Sequence, residues 1–345
     1  MRASAVLEVR DLSVELKTPR GTARPVEGVS FSVDRGEAVA IVGESGSGKT
    51  LTLRSVLGLL PPGASIVGGN VFFESNDLAG LTRRGLRTAV GGRIAIIFQE
   101  PLTALNPVMK VGDQIAEGPR RRLDLSRRAA MRRAVDLMVQ VGIPDPARRA
   151  RMYPHQLSGG MRQRVLIAIA LSNDPSIILC DEPTTALDVT IQDQILKLLA
   201  ELRRSAGVGI VLVTHDLAVV AETCDRLAVM YAGRVVETGR VADVFRSPRH
   251  GYTAQLLRSV PDFDRGDVRL RGIGGAPPDL YDLPVGCRFH PRCEFATTSC
   301  REVVPPLMSV GRDRYSACIH HDVVAASVLE APVIRRSSAS TEEAG

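Results

Sequence analysis

A glycine-rich segment of eight residues constrains this 345-residue chain more than any other feature of its sequence. Gly43–Thr50 reads GESGSGKT and matches the pattern G-x-x-x-x-G-K-[ST], which forms a phosphate-binding loop where it joins a strand to a helix. Both neighbours are predicted, because Ala38–Val42 is a short apolar run typical of a buried strand and Thr50–Leu60 has a helical pattern. The sequence therefore predicts a loop that holds the phosphates of a nucleotide.

The residue types in this loop suit a nucleoside triphosphate with a bound metal ion. Glycines let backbone N–H groups turn toward phosphate oxygens, and the start of the next helix adds a partial positive charge. Lys49 is expected to reach the β- and γ-phosphates, and the Thr50 hydroxyl to bind Mg²⁺. The candidate nucleotide-binding residues here are Gly43, Glu44, Ser45, Gly46, Ser47, Gly48, Lys49, Thr50 and Leu51.

Two carboxylates at the end of a second apolar strand supply the other half of such a site. Asp181 and Glu182 follow the predicted strand Ile177–Leu179. We expect Asp181 to hold Mg²⁺ and Glu182 to orient or deprotonate the attacking water, whereas a turn or a helix cap is the structural alternative. His215 follows the strand Ile210–Val213 and is either a polar residue at the sheet edge or a partner of the γ-phosphate.

Strands alternate with helices along most of the chain, which predicts an α/β fold with a sheet that is parallel at its centre. Gly159–Leu171 and Ile191–Arg203 have helical patterns, and so does Val111–Val141. No apolar run approaches the roughly 20 residues of a membrane-spanning helix, and Met1–Arg10 lacks the apolar core of a secretory signal. A cytoplasmic protein without a membrane span is therefore expected.

The positive charge is concentrated in one segment. The chain has a formal net charge of +6, and Gly118–Arg151 alone holds ten arginines against three aspartates. Such a patch suits nucleic acid or an anionic lipid surface, whereas a solvated helix surface explains it without a ligand. The segment contains no aromatic residue, which disfavours binding of single-stranded nucleic acid.

Further motifs resemble those of the ATP-binding subunits of ABC transporters. Leu157–Gln163 (LSGGMRQ) resembles the signature of that family, Gln99 its Q-loop glutamine, Ala186–Asp188 its D-loop and His215 its switch histidine. The resemblance implies a P-loop ATPase with a mixed sheet and a helical subdomain at about residues 100–165. It implies catalytic roles for Glu182, His215 and Gln99, and Mg²⁺ ligation by Thr50, Gln99 and Asp181. Ser158, Gly159 and Gly160 would contact an ATP held by a second ATPase subunit.

Segments near the C-terminal end resemble those of importers of dipeptides, oligopeptides and nickel. Phe98–Pro107, Ser247–Thr253 and Gly286–Cys293 carry this likeness. It implies an ATPase domain at 1–246 and a cysteine-rich extension at 247–325, and a composition rich in Ser, Ala and charged residues predicts a disordered tail at 326–345. Members of this family stack an aromatic residue on adenine. Residues 1–30 of this chain contain no aromatic residue, so Leu16 or Val26 is expected to give apolar contact only.

The likeness implies an ATPase subunit that drives import of peptides at the cytoplasmic face of the membrane. Its expected partners are two transmembrane permease subunits, an extracytoplasmic substrate-binding protein and a second, non-identical ATPase subunit. Import of nickel or of another small solute is the alternative within the subfamily. An ABC ATPase that acts on nucleic acid is a weaker alternative, since the chain has one phosphate loop and no heptad repeats.

Four of the six cysteines lie in the extension with the spacing C-x5-C-x6-C-x17-C, at Cys287, Cys293, Cys300 and Cys318. In a cytosolic chain this grouping favours a metal over disulfides. Four thiolates suit a [4Fe–4S] cluster, which members of the subfamily are reported to hold, or a zinc ion, with free thiols as the third alternative. Cys180 and Cys224 are expected to be buried packing residues.

Overall fold

Two β-sheets and the helices around them make up the computed structural model of the chain, which describes residues 5–78, 80–184, 188–259 and 272–328. The strands are β1 (Ala5–Thr18), β2 (Gly21–Asp34), β3 (Ala38–Val42), β4 (Ala64–Phe73), β5 (Asn76–Asp77), β6 (Ile94–Ile97), β7 (Ile177–Asp181), β8 (Gly209–Thr214), β9 (Arg226–Tyr231), β10 (Arg234–Arg240), β11 (Met308–Gly311) and β12 (Arg314–Ser316).

The helices are α1 (Lys49–Val56), α2 (Arg83–Val90), α3 (Pro101–Ala104), α4 (Val111–Arg122), α5 (Arg127–Gln140), α6 (Pro146–Arg149), α7 (Gly159–Leu171), α8 (Val189–Ala206), α9 (Leu217–Thr223), α10 (Val241–Arg246), α11 (Gly251–Arg258), α12 (Thr298–Glu302) and α13 (His321–Val328). Single 3₁₀ turns form at Pro154–Gln156 and His290–Arg292. Of the tail predicted at 326–345, residues 326–328 complete α13, and the rest lies outside the described residues.

The larger sheet has eight strands in the order β11-β12-β10-β9-β3-β8-β7-β6. β6, β7, β8, β3 and β9 run parallel, whereas β10, β12 and β11 join antiparallel. Every residue of β3, β7 and β8 is buried, as expected for strands covered on both faces. The predicted α/β fold with a sheet that is parallel at its centre is confirmed, and so is the mixed character of the sheet. The carboxyl ends of the parallel strands therefore meet at one edge.

The smaller sheet is antiparallel and has the order β2-β1-β4-β5. Buried and exposed residues alternate along β2, which packs one face of the sheet on the core. α1 begins at the phosphate loop and ends at Val56, four residues before the predicted end. The helix stops early because Leu57 leaves helical geometry and Gly58 follows in the left-handed region at φ +61°.

The helical pattern at Val111–Val141 is two helices instead of one. α4 contains Pro119 near its end, and the chain restarts at Ser126, whose hydroxyl caps α5 by accepting a hydrogen bond from the N–H of Ala129 at 3.3 Å. The arginines of this segment that are exposed include Arg120, Arg121, Arg122, Arg127, Arg128 and Arg132. Within the described part of the chain, none of the helices combines the length and the apolar character needed to cross a bilayer.

A hairpin of the C-terminal extension completes the edge of the larger sheet. β12 pairs with β10 through Glu237 and Ser316, and β11 pairs with β12. Glu237 is fully buried, accepts a hydrogen bond from Arg314 Nη2 at 2.9 Å and accepts a bifurcated hydrogen bond at both carboxylate oxygens from the backbone N–H of Arg249. Burial raises the pKa of Glu237, and the Arg314 guanidinium opposes this rise. One buried ion pair therefore fastens this hairpin to the larger sheet.

Replacing Arg314 by Met is expected to destabilise the fold by about 3–5 kcal/mol at pH 8, because an unpaired carboxylate stays buried. In the variant, the folded-state pKa of Glu237 lies further above its unfolded value, so proton uptake favours the folded state. The loss of stability caused by the substitution therefore becomes smaller as the pH falls. Urea unfolding followed by far-UV circular dichroism at pH 6 and pH 8 measures this. Arg121→Met is the control, because Arg121 pairs with Glu117 while 78% exposed, and it should leave the unfolding midpoint nearly unchanged. A pH-independent loss in Arg314→Met would contradict the assignment.

Candidate nucleotide-binding site

The glycines of the phosphate loop stand where no side chain fits. A Cβ on Gly43 would lie 2.2 Å from the carbonyl oxygen of Met230, and one on Gly48 would lie 2.2 Å from that of Pro25. Both residues adopt positive φ, at +153° and +100°. The loop is thus pressed against β9 and β2, and this contact fixes its path between β3 and α1.

Lys49 carries a buried ammonium group. The residue is 6% exposed, and its Nζ donates to the carbonyl oxygens of Gly43 at 2.7 Å and Glu44 at 2.9 Å. Burial lowers the pKa of Lys49, and the nearby carboxylates of Glu182, Asp181 and Glu44 oppose this effect. A desolvated cation held by loop carbonyls suits the binding of an anion such as a phosphate group.

Thr50 and Asp181 are brought together from distant parts of the sequence. The Thr50 hydroxyl donates to Asp181 Oδ1 at 2.8 Å, and Asp181 is 2% exposed at the end of β7. Burial raises the pKa of Asp181, although the Thr50 bond and the charge of Arg54 lower it. A hydroxyl next to a carboxylate is the hard oxygen set that Mg²⁺ prefers, so the residues present fit that ion.

The three candidate catalytic residues form one connected group. Gln99 Nε2 donates to Glu182 Oε2 at 3.1 Å, and His215 Nδ1 lies 3.3 Å from Glu182 Oε1. The donation leaves the amide oxygen of Gln99 as the candidate metal ligand. Glu182 adopts φ +49°, a strained value for a residue with a side chain, and its N–H bonds to the carbonyl of Val213 at 3.0 Å. Strain at this position is typical of a functional site.

The signature segment is buried at Leu157 and Gln163 and leads into α7, which does not carry any residue of this group. Ser158 and Gly159 are exposed, and the Ser158 hydroxyl caps α7 by accepting from Met161 N at 3.4 Å. No hydrogen bond or ion pair among the described residues joins Ser158, Gly159 or Gly160 to the phosphate loop. Of the D-loop, Asp188 caps α8, and residues 186 and 187 lie outside the described part of the chain.

The remaining loop residues differ in their surroundings. Ser45 and Gly46 are exposed, Ser47 is buried, and Leu51 packs half-buried on the apolar core beneath α1. Glu44 points its polar groups to the C-terminal extension, because its carboxylate pairs with Arg292 and its N–H bonds to the Tyr252 hydroxyl. Sequence reasoning missed Arg292 and Tyr252, since both lie more than 200 residues from the loop.

Residues 1–30 contain no aromatic residue, but a tyrosine of the extension contacts them. Tyr281 brings its hydroxyl to 2.6 Å from Thr18 Oγ1, and the Arg20 guanidinium lies 4.6 Å from the centre of its ring. Val26 is fully buried and Leu16 half-buried in the same hairpin. The turn between β1 and β2 thus contacts a tyrosine that the local sequence does not contain.

The four cysteines of the extension line one small cavity, together with residues that include His290 and His320. All six cysteines of the chain are free thiols, and Cys180 and Cys224 are buried as predicted. Burial raises the pKa of Cys293 to about 12 and that of Cys318 to about 11. The cavity has a volume of about 10 Å³, room for one water molecule. Among the residues that the structure describes, no three potential ligands stand in metal-binding geometry, so the expected iron–sulfur cluster is not supported.

Two family models match the chain. The model of the ABC transporter family matches residues 26–185, and that of the oligopeptide/dipeptide transporter C-terminal region matches residues 236–300. The first match contains the phosphate loop, Gln99, the signature segment and the carboxylates at the end of β7. The second ends at Cys300 and therefore covers three of the four clustered cysteines.

Known proteins resemble the chain over most of its length. The dipeptide transport ATP-binding protein DppD of Bacillus subtilis is 49% identical, with 87% of this chain and 90% of that protein covered. DppD of Escherichia coli is 46% identical over 91% of this chain and 96% of its own. The ATP-binding cassette MJ0796, solved as a dimer bound to ADP and Pi, is 28% identical with a TM-score of 0.62 over 68% of this chain and 98% of that chain.

Replacing Lys49 by Met is expected to abolish ATP binding while leaving the nucleotide-free protein at least as stable. The methionine side chain is similar in length to lysine, but it removes the desolvated cation. Equilibrium binding of a fluorescent ATP analogue and urea unfolding without nucleotide measure the two effects. ATP affinity equal to that of the unsubstituted protein would contradict the role given to the Lys49 ammonium.

Proposed function

This chain belongs to the ABC transporter family, among its dipeptide and oligopeptide transport ATP-binding subunits, and we propose that it hydrolyses ATP to drive peptide import across the cytoplasmic membrane. One observation carries the catalytic part of this proposal. Glu182 lies between Gln99 and His215, in hydrogen-bond reach of both, at the same sheet edge as Lys49 and the Thr50–Asp181 pair. Binding groups for triphosphate and a general base thus share one site.

Each of these residues has a distinct task in the reaction. Lys49 donates to phosphate oxygens and balances their charge, while the loop carbonyls hold its ammonium in place. Thr50, Asp181 and Gln99 would hold Mg²⁺, which would neutralise charge on the phosphates. Glu182 accepts a proton from the attacking water, and Gln99 and His215 hold the Glu182 carboxylate in place.

A second ATPase subunit completes the site. Ser158 and Gly159 are exposed and Gly160 is half-buried at the start of α7, where backbone N–H groups and the helix dipole favour an anion. We assign them to the ATP held by the partner subunit, since they do not reach the loop of their own chain. The similar cassette MJ0796 was solved as a dimer, which supports pairing with a second ATPase subunit, and the partner is expected to be a non-identical subunit.

The transport partners follow from the same relatives. Two permease subunits and an extracytoplasmic binding protein are expected, with this chain attached to the cytoplasmic face of the membrane. The two DppD relatives are dipeptide transport ATP-binding proteins, and this favours peptides over the alternative cargo, nickel. No nucleic-acid partner is proposed, because the exposed arginines of α4 and α5 lie in the helical region that faces the permease in the proposed assembly.

The cysteines of the extension are proposed to bind a metal. The convergence of Cys287, Cys293, Cys300 and Cys318 on one cavity supports this, and four thiolates suit a [4Fe–4S] cluster or zinc. The cavity has room for only one water molecule. Either metal would take its ligands from these four thiolates.

Replacing Glu182 by Gln is expected to lower kcat for ATP hydrolysis by about 10²–10⁴-fold with little change in ATP affinity, because the amide cannot accept the proton of water. Phosphate release by the chain assembled with its partner subunits, and uptake of labelled dipeptide by proteoliposomes, measure the effect. Both rates should fall together.

Asp193→Asn is the matched control, because this exposed carboxylate pairs only with Lys197 on α8 among the contacts described. Retained turnover in Glu182→Gln would exclude Glu182 as the general base. Uptake of Ni²⁺ instead of dipeptide by the unsubstituted assembly would overturn the peptide assignment and leave the ATPase assignment intact.

Anaerobically purified protein is expected to contain iron and acid-labile sulfide with broad visible absorption, and Cys293→Ser should lose both. Metal analysis and absorption spectra measure this, with Cys224→Ser as a control on a buried cysteine outside the extension. Zinc in place of iron would select the alternative metal. Protein without either metal would leave the four thiols free.

A further inference from the structure

The C-terminal extension binds one residue of the phosphate loop, Glu44. Arg292 donates from Nη1 to Glu44 Oε2 at 2.7 Å and from Nη2 to Glu44 Oε1 at 2.9 Å. The pair is bidentate, and the Arg292 side chain is 5% exposed. A bidentate pair of this kind fixes orientation as well as distance, because the planar guanidinium matches both carboxylate oxygens.

Arg292 is itself held in place before any ligand binds. Its Nε donates to the carbonyl of Gly274 at 2.8 Å, and its Nη1 lies 3.2 Å from the Tyr231 hydroxyl. The guanidinium carbon is 5.8 Å from the ring centres of both Tyr231 and Phe289. These contacts hold the guanidinium in place independently of Glu44.

Tyr252 fixes the backbone of the same loop residue. Its hydroxyl accepts a hydrogen bond from Glu44 N at 2.7 Å, and the residue is fully buried on α11. The carbonyl oxygen of Glu44 in turn accepts from Lys49 Nζ at 2.9 Å. The carboxylate, N–H and carbonyl of Glu44 thus connect Arg292, Tyr252 and the Lys49 ammonium.

We infer that Arg292 and Tyr252 are positioning residues of the phosphate loop, which set the place of the Lys49 ammonium through Glu44. In this inference, Glu44 binds the extension and thereby positions the loop, and its own polar groups do not contact the nucleotide. The inference rests on the proposed binding of ATP at this loop. Because Arg292 ends the 3₁₀ turn that precedes Cys293, the same link would couple the cysteine cavity to the nucleotide site, and such coupling acts in both directions.

A double-mutant cycle tests the link. Arg292→Gln and Glu44→Gln should each weaken ATP binding by roughly tenfold, and the double variant should be no weaker than either, because all three break the same interaction. Measured with a fluorescent ATP analogue, the change should fall on Kd and KM while kcat at saturating ATP stays within about threefold. Arg292→Lys should recover only part of the affinity, since an ammonium cannot pair in bidentate fashion.

Arg258→Gln is the matched control. Arg258 forms an ion pair with Glu294 at 2.5 Å within the extension, and neither residue contacts the loop among the described contacts. Its ATP affinity should equal that of the unsubstituted protein. Additive losses in the cycle, or equal losses in Arg258→Gln, would overturn the inference.

A second measurement separates positioning from simple attachment of the extension. ATP should slow amide hydrogen exchange at residues 287–293 in the unsubstituted protein, and Glu44→Gln should lose this effect. If Arg292 only fastens the extension, the variants will raise exchange there and bind ATP normally, which overturns the inference. An unsubstituted protein that does not bind ATP would instead refute the proposed function.

Discussion

The ammonium of Lys49 lies in the interior with the carbonyl oxygens of Gly43 and Glu44 as its nearest partners. A buried cation is costly unless polar atoms surround it, so the loop must present its carbonyls inward. It can do so because Gly43 and Gly48 pack where a Cβ would collide with Met230 and Pro25. The arrangement places a positive charge at the start of α1, and the rest of the site is organised around that charge.

The parallel sheet supplies the other residues. Asp181 ends β7, His215 follows β8 and Gln99 follows β6, and since these strands are parallel their ends share one edge. Thr50 is joined to Asp181 there, and Glu182 to Gln99 and His215. The antiparallel strands at the opposite end of the sheet take no part in this group. The extension is attached to these strands through the buried ion pair of Glu237 and Arg314.

Much of this was predictable because it depends on short segments. The loop motif, the helix after the signature and the buried strands β3, β7 and β8 follow from local pattern and turn chemistry, and α7 has the predicted limits Gly159–Leu171. The end of α1 and the break between α4 and α5 were not predicted, since Gly58 and the Ser126 cap outweigh helical periodicity. The spacing of the cysteines predicted that they gather, but could not give the size of the cavity among them.

By itself, the sequence determined the chemistry of the nucleotide site, because each motif carries its own residues and a fixed local geometry. Only the tertiary structure decided what holds that site in position. Arg292, Tyr252 and Tyr281 come from the extension to Glu44 and to the turn at Thr18, and no spacing relates them to the loop. Contacts between segments more than 200 residues apart depend on how the sheet edge and the extension pack, and packing is a property of the whole fold.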